Sequence, residues 1–131
     1  MSGGDEREVT SYVRVVAERA KAASRRLAHL SPETKNEALL KMARGIRARA
    51  GHIQERNRAD LEAGRRQGLA EAMLDRLALN DERVEAMAAG LEAIAGQRDP
   101  VGEVVAQWRR PGGFEVGQVR IPLGVIGIIY E

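Results

Sequence analysis

The chain has no cysteine among its 131 residues, which excludes a disulfide scaffold, a thiolate metal site and, within these residues, a thiol nucleophile. Aromatic residues make up 3%, so a core has to be packed from Leu, Ile, Val, Met and Ala. The two histidines, His29 and His52, are too few to hold a metal alone. One falls at an expected helix end and the other beside an expected break, where surface or capping roles suffice. No run approaches the length of a membrane-spanning helix. The polar start, from Met1 to Glu8, lacks an apolar signal core, and a cytoplasmic location is the resulting expectation. Neither sign of charge dominates: 21 Lys and Arg stand against 19 Asp and Glu, a net charge of +2. Acids and bases are interspersed, as in Glu55-Arg56 and Arg58-Ala59-Asp60, without the clustered basic footprint of a nucleic-acid binder.

With 44% apolar and 31% charged residues, the composition is that of a globular protein of about one domain. Val9, Val13, Val16, Ala20, Ala23 and Leu27 recur at steps of three and four, which predicts a helix from about Glu6 to His29. Ser31-Pro32-Glu33 is a helix start: an acceptor hydroxyl, a proline suited to the first helical position and an acid at the positive end of the dipole. The stripe Leu39, Met42, Ile46, Ala50 and Ile53 follows, with a break expected near position 50 beside Gly51. The helical pattern continues through Asn57 and Leu61 toward Gly64 and Gly68. Leu69, Met73, Leu74 and Leu77 predict a short helix, and Asn80-Asp81-Glu82 caps another carrying Val84, Met87, Leu91 and Ile94, ended by Gly96. Met42, Met73 and Met87 read as core filler.

At Asp99-Pro100 the period changes. Val104 to Arg109 reads as a strand, Pro111-Gly112-Gly113 as a turn, and Phe114 to Ile121 as a second strand with a bulge at Gly117. Trp108 and Phe114 are placed to pair across this hairpin. The run from Val125 to Tyr130 is apolar apart from Gly127, the pattern of a strand covered on both faces inside a parallel sheet. Such a strand needs neighbours that no other stretch here supplies, so the sequence reads as the opening portion of a larger fold. Gly124-Val125-Ile126-Gly127 is a poor dinucleotide fingerprint, because its glycines lie within the expected strand and no third glycine follows. They read as close-packing positions. No P-loop, catalytic triad or zinc spacing occurs.

Several stretches together resemble the gamma-glutamyl phosphate reductases, also called glutamate-5-semialdehyde dehydrogenases. They are Ser31 to Asn36 (SPETKN), Asn57 to Leu61 (NRADL), Gly68 to Leu79 (GLAEAMLDRLAL), Asp99 to Gly102 (DPVG) and Arg120 to Glu131 (RIPLGVIGIIYE). The third and last are the most specific, being long, ordered and correctly spaced. The resemblance runs over nearly the whole chain and reaches only the opening portion of the family's length.

That family is similar to the aldehyde dehydrogenases, so the resemblance implies an α/β fold. Residues 1–100 would be the N-terminal helical part of the cofactor domain, and 101–122 a β-hairpin arm that mediates homo-oligomers. Residues 123–131 would be the first central strand of a Rossmann-type parallel sheet. The implied reaction is reduction of L-glutamyl 5-phosphate by NADPH to L-glutamate 5-semialdehyde and phosphate, in proline biosynthesis, with glutamate 5-kinase as a partner protein. The family's thiolate chemistry finds no cysteine here, so no catalytic residue is assigned and the chain alone is expected to be inactive. Ile129, Tyr130 and Glu131 are the positions the resemblance places near the cofactor. The alternative is a stand-alone, non-catalytic interaction module that pairs through the hairpin.

Overall fold

The computed structural model describes residues 3–129. In chain order the elements are α1 (Gly3–Leu27), α2 (Pro32–Ala48), α3 (Ala50–Arg66), α4 (Glu71–Leu77), α5 (Asp81–Ala95), β1 (Val104–Arg109) and β2 (Glu115–Val119). The two strands form one antiparallel sheet, so the composition is α/β, with helices predominating. The chain divides into two compact units. One is continuous, residues 32–97; the other combines residues 1–31 with 98–131.

The continuous unit holds every buried residue among those described: Ala43, Asn57, Gly64, Leu74, Val84 and Ala88. α2 starts at Pro32, directly after Ser31, with Glu33 in its first turn. It ends one residue before α3, where Arg49 leaves helical geometry at φ −112°, ψ 14°. α3 closes in a Schellman turn. Gly68 adopts φ +77°, its N–H donates to Arg65 O, and the Leu69 N–H reaches back to Gly64 O. The Leu69 side chain then folds over Gly64. A Cβ at that position would lie 2.9 Å from Leu69 Cδ1 and 3.1 Å from Leu74 Cδ2, so the glycine lets α4 approach α3. α5 is capped as its sequence predicts: Asn80 Oδ1 accepts the Arg83 N–H at 2.8 Å, and Asp81 and Glu82 complement the positive helix end.

The three methionines expected in this core are not in it. Met42, Met73 and Met87 are 50%, 47% and 46% exposed. α2 and α5 meet through Ala43 and Ala88, which are both completely buried. Small side chains draw the helix axes together, and this centres the contact one residue further along each helix than the large side chains indicate. Met42 and Met87 are left on the flank, together with Ile94.

In the other unit the hairpin forms where expected, with a different register. Gly113 N donates to Arg110 O, Arg110 N donates to Phe114 O, and Gly113 sits at φ +83°. This is a three-residue loop whose last position is left-handed, the arrangement Gly-Gly after proline favours. The loop pairs Trp108 with Val116, and Phe114 belongs to the turn, close over Gly112. The bulge falls on β1 between Val104 and Ala106, and Gly117 pairs regularly with Gln107. Pairing continues past β2 through Gly102 N to Arg120 O and Arg120 N to Glu103 O, both 2.9 Å.

The expected strand at 125–130 does not form within the described residues: 121–129 carry no strand assignment and are exposed throughout. A strand of a parallel sheet is defined by a neighbour's hydrogen bonds, and no described segment pairs with it. The stripe of α1 is likewise uncovered, with Val9, Val13, Val16 and Leu27 all exposed.

Candidate functional site

Of the three positions expected near a cofactor, Tyr130 and Glu131 lie outside the described residues, and Ile129 is 93% exposed. Gly124 has φ +87°, a conformation that disfavours any other residue, but a Cβ at Gly124 or Gly127 would meet nothing within 4 Å. Their expected role in close packing is therefore not realised within these residues, because no described residue packs against either glycine.

Residues 32–97 hold the one buried polar side chain among those described. Asn57 is 6% exposed and spends both ends of its amide on one stretch of backbone: Nδ2 donates to Leu77 O at 2.9 Å, and Oδ1 accepts the Leu79 N–H at 2.7 Å. It thereby pins the turn joining α4 to α5 against α3. From the far side Arg83 donates to the carbonyls of Asp75 and Ala78 and to the Asp75 carboxylate, satisfying the open C-terminal end of α4. Gln54 Nε2 donates to Asp81 Oδ1 at 2.6 Å.

Arg47 on α2 grips two carboxylates of α5, Glu92 and Glu85, through its whole guanidinium fork. Hydrogen bonding from Arg47 holds both carboxyls below their ordinary range, and bonding to Glu92 and then Glu85 raises the Arg47 guanidinium further. For an acid whose folded pKa is depressed, the stabilisation is present above the unfolded pKa and is lost as pH falls through the folded value. Arg47→Met is therefore expected to lower Tm by more at pH 7 than at pH 3, because the wild-type clamp weakens as pH falls toward the depressed folded values of its two carboxyls. Thermal unfolding of both proteins at the two pH values checks this. An equal deficit at both would mean that Arg47 acts through its aliphatic stem. Nothing local in the sequence signals this clamp, because its partners lie 38 and 45 residues downstream.

Two open depressions lie among the described residues. One, of about 470 Å³, runs along α3 beside His52, Glu55, Arg56, Arg58, Ala59 and Glu62, a charged solvated face. The other, of about 430 Å³, lies between α1 and the segment at Gly124-Val125. Among the described residues no group of His, Asp or Glu could hold a metal ion, and no helix is long and apolar enough to cross a membrane. Among the described residues the arrangement provides folding contacts and exposed apolar surface, and no reacting constellation.

No protein-family model matches the chain. A gamma-glutamyl phosphate reductase from Syntrophomonas wolfei is 58% identical over 113 residues, which are 86% of this chain and 27% of that protein. The crystal structure of the Thermotoga maritima enzyme of the same name superposes with a TM-score of 0.76 at 39% identity, covering 81% of this chain and 26% of that one. The Saccharomyces cerevisiae enzyme gives a TM-score of 0.75 at 32% identity, over 82% and 27% of the respective chains. The chain thus spans less than a third of the length of the curated relatives it matches. Over most of its own length, this chain is homologous to one stretch of gamma-glutamyl phosphate reductase.

Proposed function

We propose that these residues serve as the helical and arm-bearing portion of a gamma-glutamyl phosphate reductase. In that reading the whole protein reduces L-glutamyl 5-phosphate with NADPH to L-glutamate 5-semialdehyde and phosphate, in the cytoplasm, as a step of proline biosynthesis. The observation that carries the reading is the 58% identity to a reductase over 113 residues, joined to the backbone match with two reductase structures. Residues 32–97 would contribute a prefolded helical support. The hairpin at Val104–Val119 would contribute the surface through which copies assemble, and glutamate 5-kinase is the partner to test first.

The described residues do not themselves fit a dinucleotide. No glycine-rich turn opens a helix here, and the glycines at 124 and 127 border open space. The chain's proposed contribution to the cofactor site is limited to Ile129, Tyr130 and Glu131 at the end of the apolar run, because ligands collect at the carboxyl ends of parallel strands. No step of the reaction is derived through the cofactor from these residues.

A chimera tests the reading. Replacing the matching 113 residues of the Syntrophomonas wolfei reductase with the corresponding stretch of this chain is expected to preserve NADPH-dependent reductase activity. This chain alone, without a cysteine, is expected to show none. A chimera that folds and binds NADPH but does not turn over would overturn the assignment. The alternative of a non-catalytic interaction module is favoured by one feature, the uncovered apolar surface of α1, the hairpin and residues 121–129.

A further inference from the structure

One segment occurs twice within residues 32–97, as Met42 to Gly51 (MARGIRARAG) and as Met87 to Gly96 (MAAGLEAIAG). Burial repeats with the residues. In each copy the first alanine is buried, Ile46 or Leu91, the residue after it and the last alanine are half-buried, and every other position is exposed. The buried alanines, Ala43 and Ala88, are where α2 and α5 meet. The two helices thus present the same face to each other, and a face that packs against its own likeness is self-complementary. Opposite charges stand at one pair of equivalent positions. Arg47 and Glu92, 45 residues apart, bond each other, and Glu85 joins them from two turns earlier in α5. Pairing α2 with a second α2 would set Arg47 against Arg47, and pairing α5 with a second α5 would set Glu92 against Glu92. Like charges in contact reject both.

The copies also differ in one backbone feature. In the second, Ile94 and Ala95 continue α5; in the first, their equivalents Arg49 and Ala50 straddle the break between α2 and α3. That break is a single residue framed by turn hydrogen bonds, Arg49 N to Ile46 O at 3.1 Å and Ile53 N to Arg49 O at 2.9 Å. Helical angles at Arg49, like those of its counterpart Ile94, would fuse α2 with α3 and carry α2 away from its own α5. Short hinges of this kind are where helices exchange between copies.

We propose that the α2–α5 face is an exchange interface for a second copy of this chain. Arg49 opens, α2 of each copy packs on α5 of the other, and Arg47 against Glu85 and Glu92 restricts the exchange to unlike helices. Within one chain the closed pairing is favoured by its higher effective concentration, so exchange emerges when the internal pair is disabled. This goes beyond the reductase reading and does not depend on it.

The test uses two variants of the 131-residue chain, Arg47→Glu and the double substitution Glu85→Arg with Glu92→Arg. Each sets like charges across its own α2–α5 contact and is expected to lower Tm by about 4–8 °C or more, the shift that a modest loss of stability gives in a unit this small. Refolded together in equal amounts, the two chains match their charges only by exchange. They are expected to form a one-to-one complex, read by native mass spectrometry, with a Tm that returns toward wild type. Neither variant alone recovers at the same total concentration, and raising the salt concentration shrinks the gap between the mixture and its components. Placing all three substitutions in one chain inverts the clamp and restores Tm without a partner. Variants that keep the wild-type Tm, or an inverted clamp that restores nothing, overturn the proposal. So does a mixture that unfolds as the sum of its components, including one whose chains associate through exposed apolar side chains without a rise in Tm. Should either variant be unfolded alone, the helix content gained on mixing, read by far-ultraviolet circular dichroism, decides in the same way.

Discussion

Asn57→Ala is expected to destabilise residues 32–97 by about 2–4 kcal/mol, enough to unfold a large share of the molecules. The substitution removes two hydrogen bonds at once and leaves the Leu77 carbonyl and the Leu79 N–H without partners in a part-buried turn. Each bond contributes about 1 kcal/mol net, and each stranded group adds a desolvation cost of comparable size. A unit of this size rarely has more than about 3–5 kcal/mol in total. Asn57→Asp provides a sharper version. It retains the acceptor for Leu79 N–H and loses the donor to Leu77 O, so that a carboxylate faces a carbonyl. Its folded-state pKa is raised by that repulsion. The variant should be least stable at neutral pH and should regain stability as pH falls and the carboxyl protonates, opposite in sign to the Arg47 clamp. Urea titration of the two variants, followed by circular dichroism, distinguishes these outcomes. An alanine variant within 0.5 kcal/mol of wild type (about the spread of ordinary surface substitutions) would show that the turn is held by packing alone.

Asn57 also marks the limit of what the sequence conveyed. It sits inside a motif, Asn57 to Leu61, that carries the family resemblance, but its type and spacing say nothing of the backbone 20 and 22 residues away that it holds. Local features were legible: the proline start of α2, the Asn80 cap, the break before Ala50 and the glycine turn of the hairpin each follow from neighbouring residues. Features that depend on which faces meet were less so. Apolar spacing located α2 and α5 but could not show that Ala43 and Ala88, being small, would centre their contact and leave Met42 and Met87 outside. Hairpin register turned on loop length: a three-residue loop pairs Trp108 with Val116, and reading Phe114 as a strand residue shifts that pairing. The expected cofactor residues rest on resemblance alone, because the chemistry of Ile129 and its neighbours does not itself designate a site.

The uncovered surface leads to the prediction with the broadest consequence. Val104, Val105, Trp108, Phe114 and Val119 on the hairpin, Ile121 to Ile129 beyond it, and the valines of α1 are all exposed within one unit, whereas residues 32–97 enclose their own buried set. Contiguous apolar patches and free strand edges drive association, and a two-stranded hairpin has little stability of its own. The 131-residue chain is therefore expected to self-associate in a concentration-dependent manner, and residues 32–97 expressed alone should remain monomeric and unfold in one transition. Sedimentation velocity of both species, together with their urea unfolding curves, makes the comparison. Val125→Asp with Ile128→Asp should shift the full chain toward monomer without altering the unfolding of residues 32–97, because those side chains belong to the other unit. A full chain that stays monomeric and unfolds in a single cooperative transition would instead mean that α1, the hairpin and the apolar segment reach a stable fold unaided. In that case their exposed side chains would reflect surface tolerance, and the case for an assembly surface would be lost.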